Sequence, residues 1–198
     1  MQQSKPIRSI CVYCGSSNTT DPDFIAAAAR FGALLAQADI RLVYGGGGIG
    51  LMGACAKAAH DAGGKVLGVM PEFLRKREIL YDDVETVVVK SMHERKMIMF
   101  EESDAFVVLP GGVGTLEEVV ELMSWWRLGL HDKPLAFLNI KAYWEPLFAL
   151  IRHTVDHNLT PASFLKAWSS VAEVEDLIPA LQAMGEDQAP ARIIPLVT

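Results

Sequence analysis

The sequence predicts one doubly wound α/β domain over residues 1–198, with a mostly parallel, Rossmann-like sheet, and three observations support this. Short runs of consecutive apolar residues alternate with longer segments of helical periodicity. These runs lack the polar–apolar alternation of half-solvated strands, which favours a parallel sheet with helices on both faces. A chain of 198 residues, 51% of them hydrophobic, is long enough for one well-buried domain and too short for two.

The first strand, helix and second strand are each marked by local signals. The apolar run Ile7–Tyr13 predicts a strand, and the small polar residues after it predict a turn. Asp21 is a suitable N-cap and Pro22 a suitable first helical residue, so we expect a helix from Pro22 to Ala38. The run Ile40–Tyr44 predicts the second strand.

Glycines bound the next helix. The loop Gly45–Gly53 leads into a helix that ends near Ala62, where two further glycines stop it. A third strand is expected over Lys65–Met70, closed by Pro71. The charged segment Glu72–Asp83 has no regular period, and we interpret it as a loop and a candidate lid.

Strands and helices continue to alternate in the second half of the chain. Ser91 and Glu94 form a capping-box pattern, in which each side chain is expected to bond the other residue's amide. Pro190 and Pro195 mark a frayed tail. The predicted strands are Glu85–Lys90, Ala105–Leu109, Pro134–Ile140 and Ser170–Val174, and the predicted helices are Met92–Glu102, Thr115–Leu128, Trp144–His157 and Val174–Met184.

The most informative stretch is Pro110–Glu118, where a predicted strand runs into a glycine turn that opens a helix. Gly111, Gly112 and Gly114 allow sharp bends and let backbone N–H groups approach a ligand closely. The helix that begins near Thr115 adds unpaired N–H donors and the positive end of its dipole. Because parallel sheets bind ligands beyond the carboxyl ends of their strands, we expect an anion, most naturally a phosphate, at this turn.

The helix after the turn is predicted to have an apolar face on the sheet and an acidic face turned away. Because carboxylates would repel a phosphate, Glu118 and Glu121 are expected to contact an uncharged or cation-developing part of the same ligand, such as a sugar. A solvated acidic first turn, favoured by the helix dipole, is the alternative. The predicted apolar face comprises Leu116, Val119, Val120, Met123 and Trp126, and the acidic face Glu117, Glu118 and Glu121.

Two motifs resemble those of the LONELY GUY family. Pro110–Glu118 matches the family's PGGxGTxxE motif, and Met92–Lys96 matches its second motif, which contains an arginine and a lysine. The similarity runs from Ile10 to about Asn158. Members are often labelled lysine decarboxylases, but the resemblance implies phosphoribohydrolase activity: a cytokinin riboside 5′-monophosphate is cleaved to the free base and ribose 5-phosphate.

The resemblance also implies that Arg95 and Glu118 are catalytic and that the chain forms a homodimer, in which side chains of one subunit could complete the other's pocket. Glu118 suits stabilisation of an oxocarbenium-like ribose or orientation of water. Arg95 stays protonated and could hold the phosphate or stabilise charge on the leaving base. The predicted substrate-binding residues are Gly15, Ser16, Gly46, Gly47, Gly48, Glu78, Met92, Lys96, Gly111, Gly112, Val113, Gly114, Thr115, Glu121 and Ser124.

Val113 departs from the commoner family form, in which an aromatic residue often stands between the glycines. This difference leaves the preferred base open. General hydrolysis of AMP or another nucleoside 5′-monophosphate is the near alternative. A non-catalytic nucleotide-binding module is the alternative from a different class, because it would need the glycine turns but neither Arg95 nor Glu118.

Patterns for cofactors and metals are weak. Gly48–Gly53 spells GxGxxG but follows the second strand and lacks the acidic residue of a dinucleotide site, so we interpret it as a second phosphate-cradling or sugar-facing loop. His153 and His157 lie one turn apart without a third ligand, which favours a solvated helix face. No lysine has a recognisable pyridoxal phosphate setting, so we expect no cofactor and no metal.

The composition limits the partners. A net charge of -6 argues against a nucleic-acid surface. No apolar run approaches the roughly 20 residues that span a bilayer, and without a leader-like pattern we expect a cytoplasmic protein with a small-molecule ligand. Cys11, Cys14 and Cys55 are expected to be buried thiols. Trp125 and Trp126 add apolar area beyond what one sheet face needs, which favours a protein interface.

Overall fold

Seven short strands form the centre of the molecule. A computed structural model describes residues 6–75 and 81–187 of the chain. The strands are β1 (Ser9–Tyr13), β2 (Arg41–Tyr44), β3 (Val66–Pro71), β4 (Glu85–Val89), β5 (Ala105–Val108), β6 (Leu135–Leu138) and β7 (Ser169–Val171). They run parallel in one sheet, in the order β4-β3-β2-β1-β5-β6-β7. The predicted doubly wound, Rossmann-like fold is confirmed.

Helices connect the strands and cover both faces of the sheet. They are α1 (Pro22–Gln37), α2 (Gly50–Asp61), α3 (Met92–Glu101), α4 (Val113–Arg127), α5 (Glu145–Asp156) and α6 (Leu177–Asp187). Short 3₁₀ turns lie at Ile140–Ala142, Ala162–Lys166 and Val174–Asp176. Within the described ranges, none of the helices has both the length and the apolar character needed to cross a membrane.

The sheet separates two hydrophobic cores, because successive side chains of a strand face opposite sides. Ile10 and Val12 of β1 join the core beneath α1, α2 and α6. Cys11 and Tyr13 join the core beneath α3, α4 and α5. Every residue of β1, β5 and β6 is buried, which explains why their sequences are apolar without alternation.

The direction of strand addition reverses at β1. Strands β2, β3 and β4 extend the sheet on one side of β1, and β5, β6 and β7 extend it on the other. The loops after β1 and β5 therefore lie at a topological switch point, where open α/β sheets bind ligands. The Gly15 amide donates to the Pro110 carbonyl at 3.0 Å and holds the two loops together.

Two element boundaries differ from the predicted ones for local reasons. Helix α4 begins at Val113 instead of near Thr115, because Gly112 serves as its N-cap. Near the C-terminus, the 3₁₀ turn Val174–Asp176 precedes α6, which begins only at Leu177. Of the predicted lid, residues 76–80, which include Glu78, lie outside the described residues, as does the predicted tail after residue 187.

The capping box at α3 is half correct. The Glu94 amide donates to Ser91 Oγ at 3.1 Å, as predicted. The Glu94 carboxylate, however, accepts from the Lys90 amide at 2.9 Å and not from the Ser91 amide. Both side chains still cap the start of α3, but the Glu94 carboxylate binds the amide one residue before the predicted one.

The predicted faces of α4 need a correction. Val120, placed on the apolar face, is 50% exposed, and Glu118, placed on the outward acidic face, is only 5% exposed. Val119 and Met123 are buried as predicted. Glu118 can lie inside because a buried cation compensates its charge, a tertiary contact that helical periodicity does not register.

The prediction of buried thiols is confirmed, since Cys11, Cys14 and Cys55 are all free and buried. Burial raises the pKa of Cys55 to about 12. Burial also raises the pKa values of Cys11 and Cys14 far above the ordinary value. Because the thiolate is the reactive form, none of the three is suited to redox or nucleophilic chemistry.

Candidate active site

Helix α4 opens on an accessible glycine turn. Gly112 is the N-cap, and within the described residues no side chain caps it. The Leu116 amide makes the first bond back to the turn, donating to the Gly112 carbonyl at 3.0 Å, so the amides of Val113 and Gly114 precede the helical ladder. Gly112, Val113 and Gly114 are all exposed. Such a terminus can accept an anion.

Thr115 packs directly against this turn. A Cβ atom added to Gly111 would lie 2.1 Å from Thr115 Oγ1, so the close approach requires glycine. Thr115 itself is buried. The shape of the turn therefore depends on Gly111 and Thr115 together.

A buried ion pair lies one helical turn beyond Thr115. Arg95 Nη1 donates to Glu118 Oε1 at 3.0 Å, and both residues are 5% exposed. Arg95 also donates from Nε to the Val69 carbonyl at 3.1 Å and from Nη2 to the Gly45 carbonyl at 3.4 Å. The guanidinium is thus fixed between the ends of β2 and β3, and its carboxylate partner comes from α4.

Two titratable neighbours of the ion pair, Cys11 and Tyr13, stay neutral. Burial first, and the charge of Glu118 second, raise the pKa of the neighbouring Cys11 thiol far above its ordinary value. Burial is also the main reason that the pKa of Tyr13 lies well above its ordinary value. Both groups therefore stay neutral at physiological pH, and Glu118 is the carboxylate that balances Arg95.

Lys96, the residue after Arg95, is held by two carboxylates of α4. Its Nζ lies 2.6 Å from Glu117 and 2.7 Å from Glu121. Burial acts to lower the pKa of Lys96, but the hydrogen bonds and charges of the two glutamates outweigh it and leave that pKa raised. The structure therefore brings Lys96 and Glu121 together as a charged brace between α3 and α4.

A cavity of about 240 Å³ adjoins the glycine turn at the switch point. Neither Arg95 nor Glu118 lines it; Glu118 lies further along the helix that Gly112 caps, about 9 Å away at 1.5 Å per residue. The lining residues are Gly15, Ser17, Thr20, Leu51, Pro110, Gly111, Gly112 and Tyr143.

Sequence reasoning missed Ser17, Thr20, Leu51 and Tyr143 as cavity residues, and it included Pro110 only as part of a motif. Ser17 and Thr20 lie in the polar turn after the first strand, so extending the prediction beyond Ser16 would have included them. Tyr143 follows β6 and carries no motif. Only the order of strands in the sheet brings its loop to the glycine turn.

The start of α2, directly after the second glycine loop, is capped within the chain. The Gly50 amide donates to Asn18 Oδ1 at 2.8 Å. The Leu51 and Met52 amides donate to the Gly15 carbonyl at 3.1 and 3.3 Å. The first amides of α2 are therefore engaged within the chain, and a phosphate-cradling or sugar-facing role for the remaining predicted residues of the loop stays a prediction. Those residues are Gly46, Gly47 and Gly48.

The other predicted binding residues are spread along α3 and α4. Ser16 and Met92 are partly buried near the carboxyl edge of the sheet, and Val113 is 84% exposed at the turn. Ser124 is exposed far along α4, about 18 Å from Gly112 at 1.5 Å per residue, so one chain does not bring it to the glycine turn.

The histidine pair lies at the C-terminal end of α5, where His157 is the C-cap. His153 and His157 are both exposed on α5, as expected for a solvated face. Across residues 6–75 and 81–187, no group of three or more histidine, cysteine, aspartate or glutamate side chains is placed to hold a metal ion.

Sequence comparison finds close relatives. Residues 52–181 match a family model described as "Possible lysine decarboxylase". A probable cytokinin riboside 5′-monophosphate phosphoribohydrolase of Arabidopsis thaliana is 46% identical over 156 residues, covering 78% of this chain and 78% of that protein. One from Oryza sativa subsp. japonica is 44% identical over 159 residues, covering 80% of this chain and 69% of that protein.

Structural comparison finds the same architecture in more distant proteins. The Moco carrier protein from Chlamydomonas reinhardtii has a TM-score of 0.68 at 22% identity, covering 91% of this chain and 98% of that one. The molybdenum cofactor binding protein from Rippkaea orientalis also has a TM-score of 0.68 at 22% identity, covering 91% and 99%. At this identity the likeness shows the fold alone.

Proposed function

The chain belongs to the LONELY GUY family, and from this premise we propose that it hydrolyses the N-glycosidic bond of cytokinin riboside 5′-monophosphates. The products would be the free base and ribose 5-phosphate. Among the described residues, the buried Arg95–Glu118 pair beside an accessible helix N-terminus is the observation that carries this proposal. A module that only bound nucleotides would have no use for a buried charge pair at this position.

Two parts of α4 have different roles in this proposal: its N-terminus binds the phosphate, and Glu118 acts on the sugar. The phosphate binds at the N-terminal amides, where the dipole and the free donors favour an anion. The cavity of about 240 Å³ is smaller than the roughly 300–1,000 Å³ of typical ligand pockets, so it suits the phosphate group and leaves the sugar and the base outside. Glu118 lies on the same helix, about 9 Å from Gly112 along the helix axis, a distance that a sugar phosphate can span.

The proposed reaction breaks the bond between C1′ and the base nitrogen. The bonding electrons leave with the base, positive charge develops on the ribose, a water molecule adds to C1′, and the proton that this water releases ends on the base. The Glu118 carboxylate stabilises the positive charge. Arg95 holds Glu118 in place, and its hydrogen bonds to two main-chain carbonyls fix the guanidinium in turn.

Lysine decarboxylation, the activity in the family model's description, fits this site less well. Pyridoxal phosphate chemistry needs a lysine that can form a Schiff base. Lys96, the lysine beside the buried pair, is held in its protonated form by Glu117 and Glu121. A protonated ammonium is the opposite of the free amine that such chemistry requires.

General hydrolysis of AMP is the second candidate, and Val113 favours it. This residue is 84% exposed at the mouth of the turn, where an aromatic side chain is common in the family. A smaller side chain offers less apolar area to an N6 substituent on the base. Incubation with AMP and with isopentenyladenosine monophosphate, followed by detection of free base, distinguishes the two substrates.

A homodimer is part of the proposal. Leu128 and Leu130 are 59% and 66% exposed just after α4. Trp125 and Trp126 beside them are only partly buried. Such a patch supports an interface through which a second subunit could complete the pocket. The cytoplasmic location stays a prediction from the sequence.

Glu118→Gln tests the catalytic role. The variant keeps the side chain's shape but loses its charge, so we expect base release to fall by about 100-fold or more, in the range seen when one stabilising group is removed from a transition state. Ribose 5-phosphate should still bind. Glu117→Gln, on the exposed face of the same turn, is the matched control and should retain most of its activity. Unchanged turnover in Glu118→Gln would remove Glu118 from the mechanism.

A further inference from the structure

The loop between β6 and α5 reaches the glycine turn. The Tyr143 hydroxyl donates to the Gly111 carbonyl at 2.6 Å, and the same residue lines the cavity. We propose that Tyr143 is a positioning residue of the phosphate-binding turn, an inference that rests on the proposed function. No motif and none of the catalytic roles assigned above involves this side chain.

The hydrogen bond fixes the peptide unit that joins Gly111 to Gly112, the N-cap of α4. The Gly111 carbonyl and the Gly112 N–H belong to one planar peptide unit, so holding the oxygen also sets the direction of the N–H. A donor on the carbonyl polarises the unit and strengthens the N–H as a donor. Gly112 caps α4 and lines the cavity. Tyr143 therefore preorganises this donor before the anion arrives.

The loop that carries Tyr143 is held in an uncommon conformation. Lys141 and Ala142 have φ angles of 54° and 56°, in the left-handed region that residues other than glycine seldom adopt. The Lys141 ammonium lies 2.7 Å from Asp21 and 2.6 Å from Asp23. These ion pairs link the loop to the start of α1, next to the cavity residue Thr20, and a strained loop held in this way points to a function.

A purely structural role for the ring can be separated from the role of the hydroxyl. The Tyr143 ring packs edge-on against Phe24 and Trp144, with centroid distances of 5.3 and 5.0 Å. A phenylalanine would keep both contacts. Only the hydrogen bond to Gly111 would be lost, so the Tyr143→Phe variant should fold normally.

The test measures ribose 5-phosphate binding by calorimetry and steady-state hydrolysis of the nucleoside monophosphate. For Tyr143→Phe we expect ribose 5-phosphate to bind about five- to tenfold more weakly, the effect of losing one hydrogen bond. The KM should rise by a similar factor with kcat nearly unchanged, and the unfolding temperature should stay that of the wild type. Tyr81→Phe, whose ring packs on His60 away from the cavity, is the control and should match the wild type.

Lys141→Ala provides a second variant. It releases the loop from Asp21 and Asp23 without touching the ring, and it should weaken ribose 5-phosphate binding in the same direction but less. Wild-type affinity in Tyr143→Phe would overturn the inference, as would failure of the wild-type protein to bind ribose 5-phosphate. Binding without hydrolysis in the wild type would defeat the proposed function alone, because the effect of Tyr143 on binding could still be measured.

Discussion

Gly45 shows how the absence of a side chain can shape a site. Its carbonyl accepts from Arg95 Nη2, and a Cβ atom at this position would lie 2.1 Å from that same nitrogen. The guanidinium occupies the space that any other residue would fill. Gly45 thus allows the charge of Glu118 to be matched inside the protein.

Gly45→Ala should displace Arg95 and disturb its contact with Glu118. Because displacements of about 1 Å at a catalytic centre can cost about 100-fold, we expect turnover to fall by that order. Overpacking should lower the free energy of unfolding by about 1–3 kcal/mol. Kinetic assays and urea denaturation measure the two effects.

Gly185→Ala is the matched control for this prediction. It lies in α6, and its added Cβ would meet Pro134 Cγ at an ordinary 3.8 Å. Alanine is the better helix former, so stability should stay the same or rise by up to about 1 kcal/mol. If Gly45→Ala also retained full activity, Arg95 would not depend on this space.

The sequence identifies the residues of the site better than their contacts. Arg95 and Glu118 follow from the two motifs. Their direct contact joins positions 23 residues apart in the chain, and no local pattern encodes it. The predicted outward direction of Glu118 is wrong for the same reason. Helical periodicity places a side chain by its angle around the helix axis and does not register a buried partner on another element.

At the scale of elements, His131 links the end of α4 to β6. The Lys133 amide donates to its Nδ1 at 3.1 Å, so the ring proton lies on Nε2, which donates to the Leu122 carbonyl at 2.9 Å. Burial is the main cause that lowers the pKa of His131, and the charge of Lys133 adds to it, while the Leu122 carbonyl and Asp132 act in the opposite direction. The folded protein therefore holds this histidine neutral.

Stability should consequently fall on mild acidification. The pKa of His131 is lower in the folded chain than its ordinary 6.5, so the unfolded chain binds the proton more readily. The contribution of His131 to the free energy of unfolding is complete above pH 6.5 and is lost as the pH falls through the folded pKa. The free energy of unfolding should change by at most about 1.4 kcal/mol per pH unit in this range. Urea denaturation between pH 7.5 and 5 measures it.

His131→Gln should flatten this dependence, because glutamine does not titrate. His153→Gln, at an exposed position on α5, is the control and should follow the wild-type curve. Parallel curves for the wild type and His131→Gln would show that His131 contributes nothing to the acid sensitivity.

The elements were largely predictable and the loops were not. Strands such as β1 and β5 are continuous apolar runs, and α1 carries both its cap and its proline in the sequence. The loop at Tyr143 has neither signal: Lys141 and Ala142 adopt left-handed backbone conformations, and Lys141 pairs with Asp21, which lies 120 positions earlier in the chain. The start of α2 likewise looked open in the sequence but is capped by Asn18, 32 residues earlier.

At the scale of the whole molecule, the sheet order explains why distant segments meet. Strand β1 is central, β5 is next to it and β6 is next to β5, so the loops after all three converge on one cavity. Composition and periodicity predict a parallel sheet but not which strands are neighbours. The strand order therefore brings the glycine turn, the polar turn after β1 and Tyr143 together in one site.

The apolar patch after α4 makes the assembly testable. Leu128 and Leu130 are largely exposed, and an exposed pair of leucines beside two partly buried tryptophans favours self-association. Leu128→Glu combined with Leu130→Glu should place like charges across a two-fold interface, because each residue of such an interface meets its own symmetric surroundings. We expect sedimentation velocity to show a dimer for the wild type and a monomer for the double variant.

Activity then decides whether the second subunit contributes to the pocket. If partner side chains complete the site, turnover should fall with the monomer fraction and recover as protein concentration rises. Leu159→Glu, at a position 76% exposed beyond α5, is the control and should leave both mass and turnover unchanged. A monomeric wild-type protein with full activity would contradict the dimer proposal, and a fully active monomeric double variant would show that each chain carries a complete site.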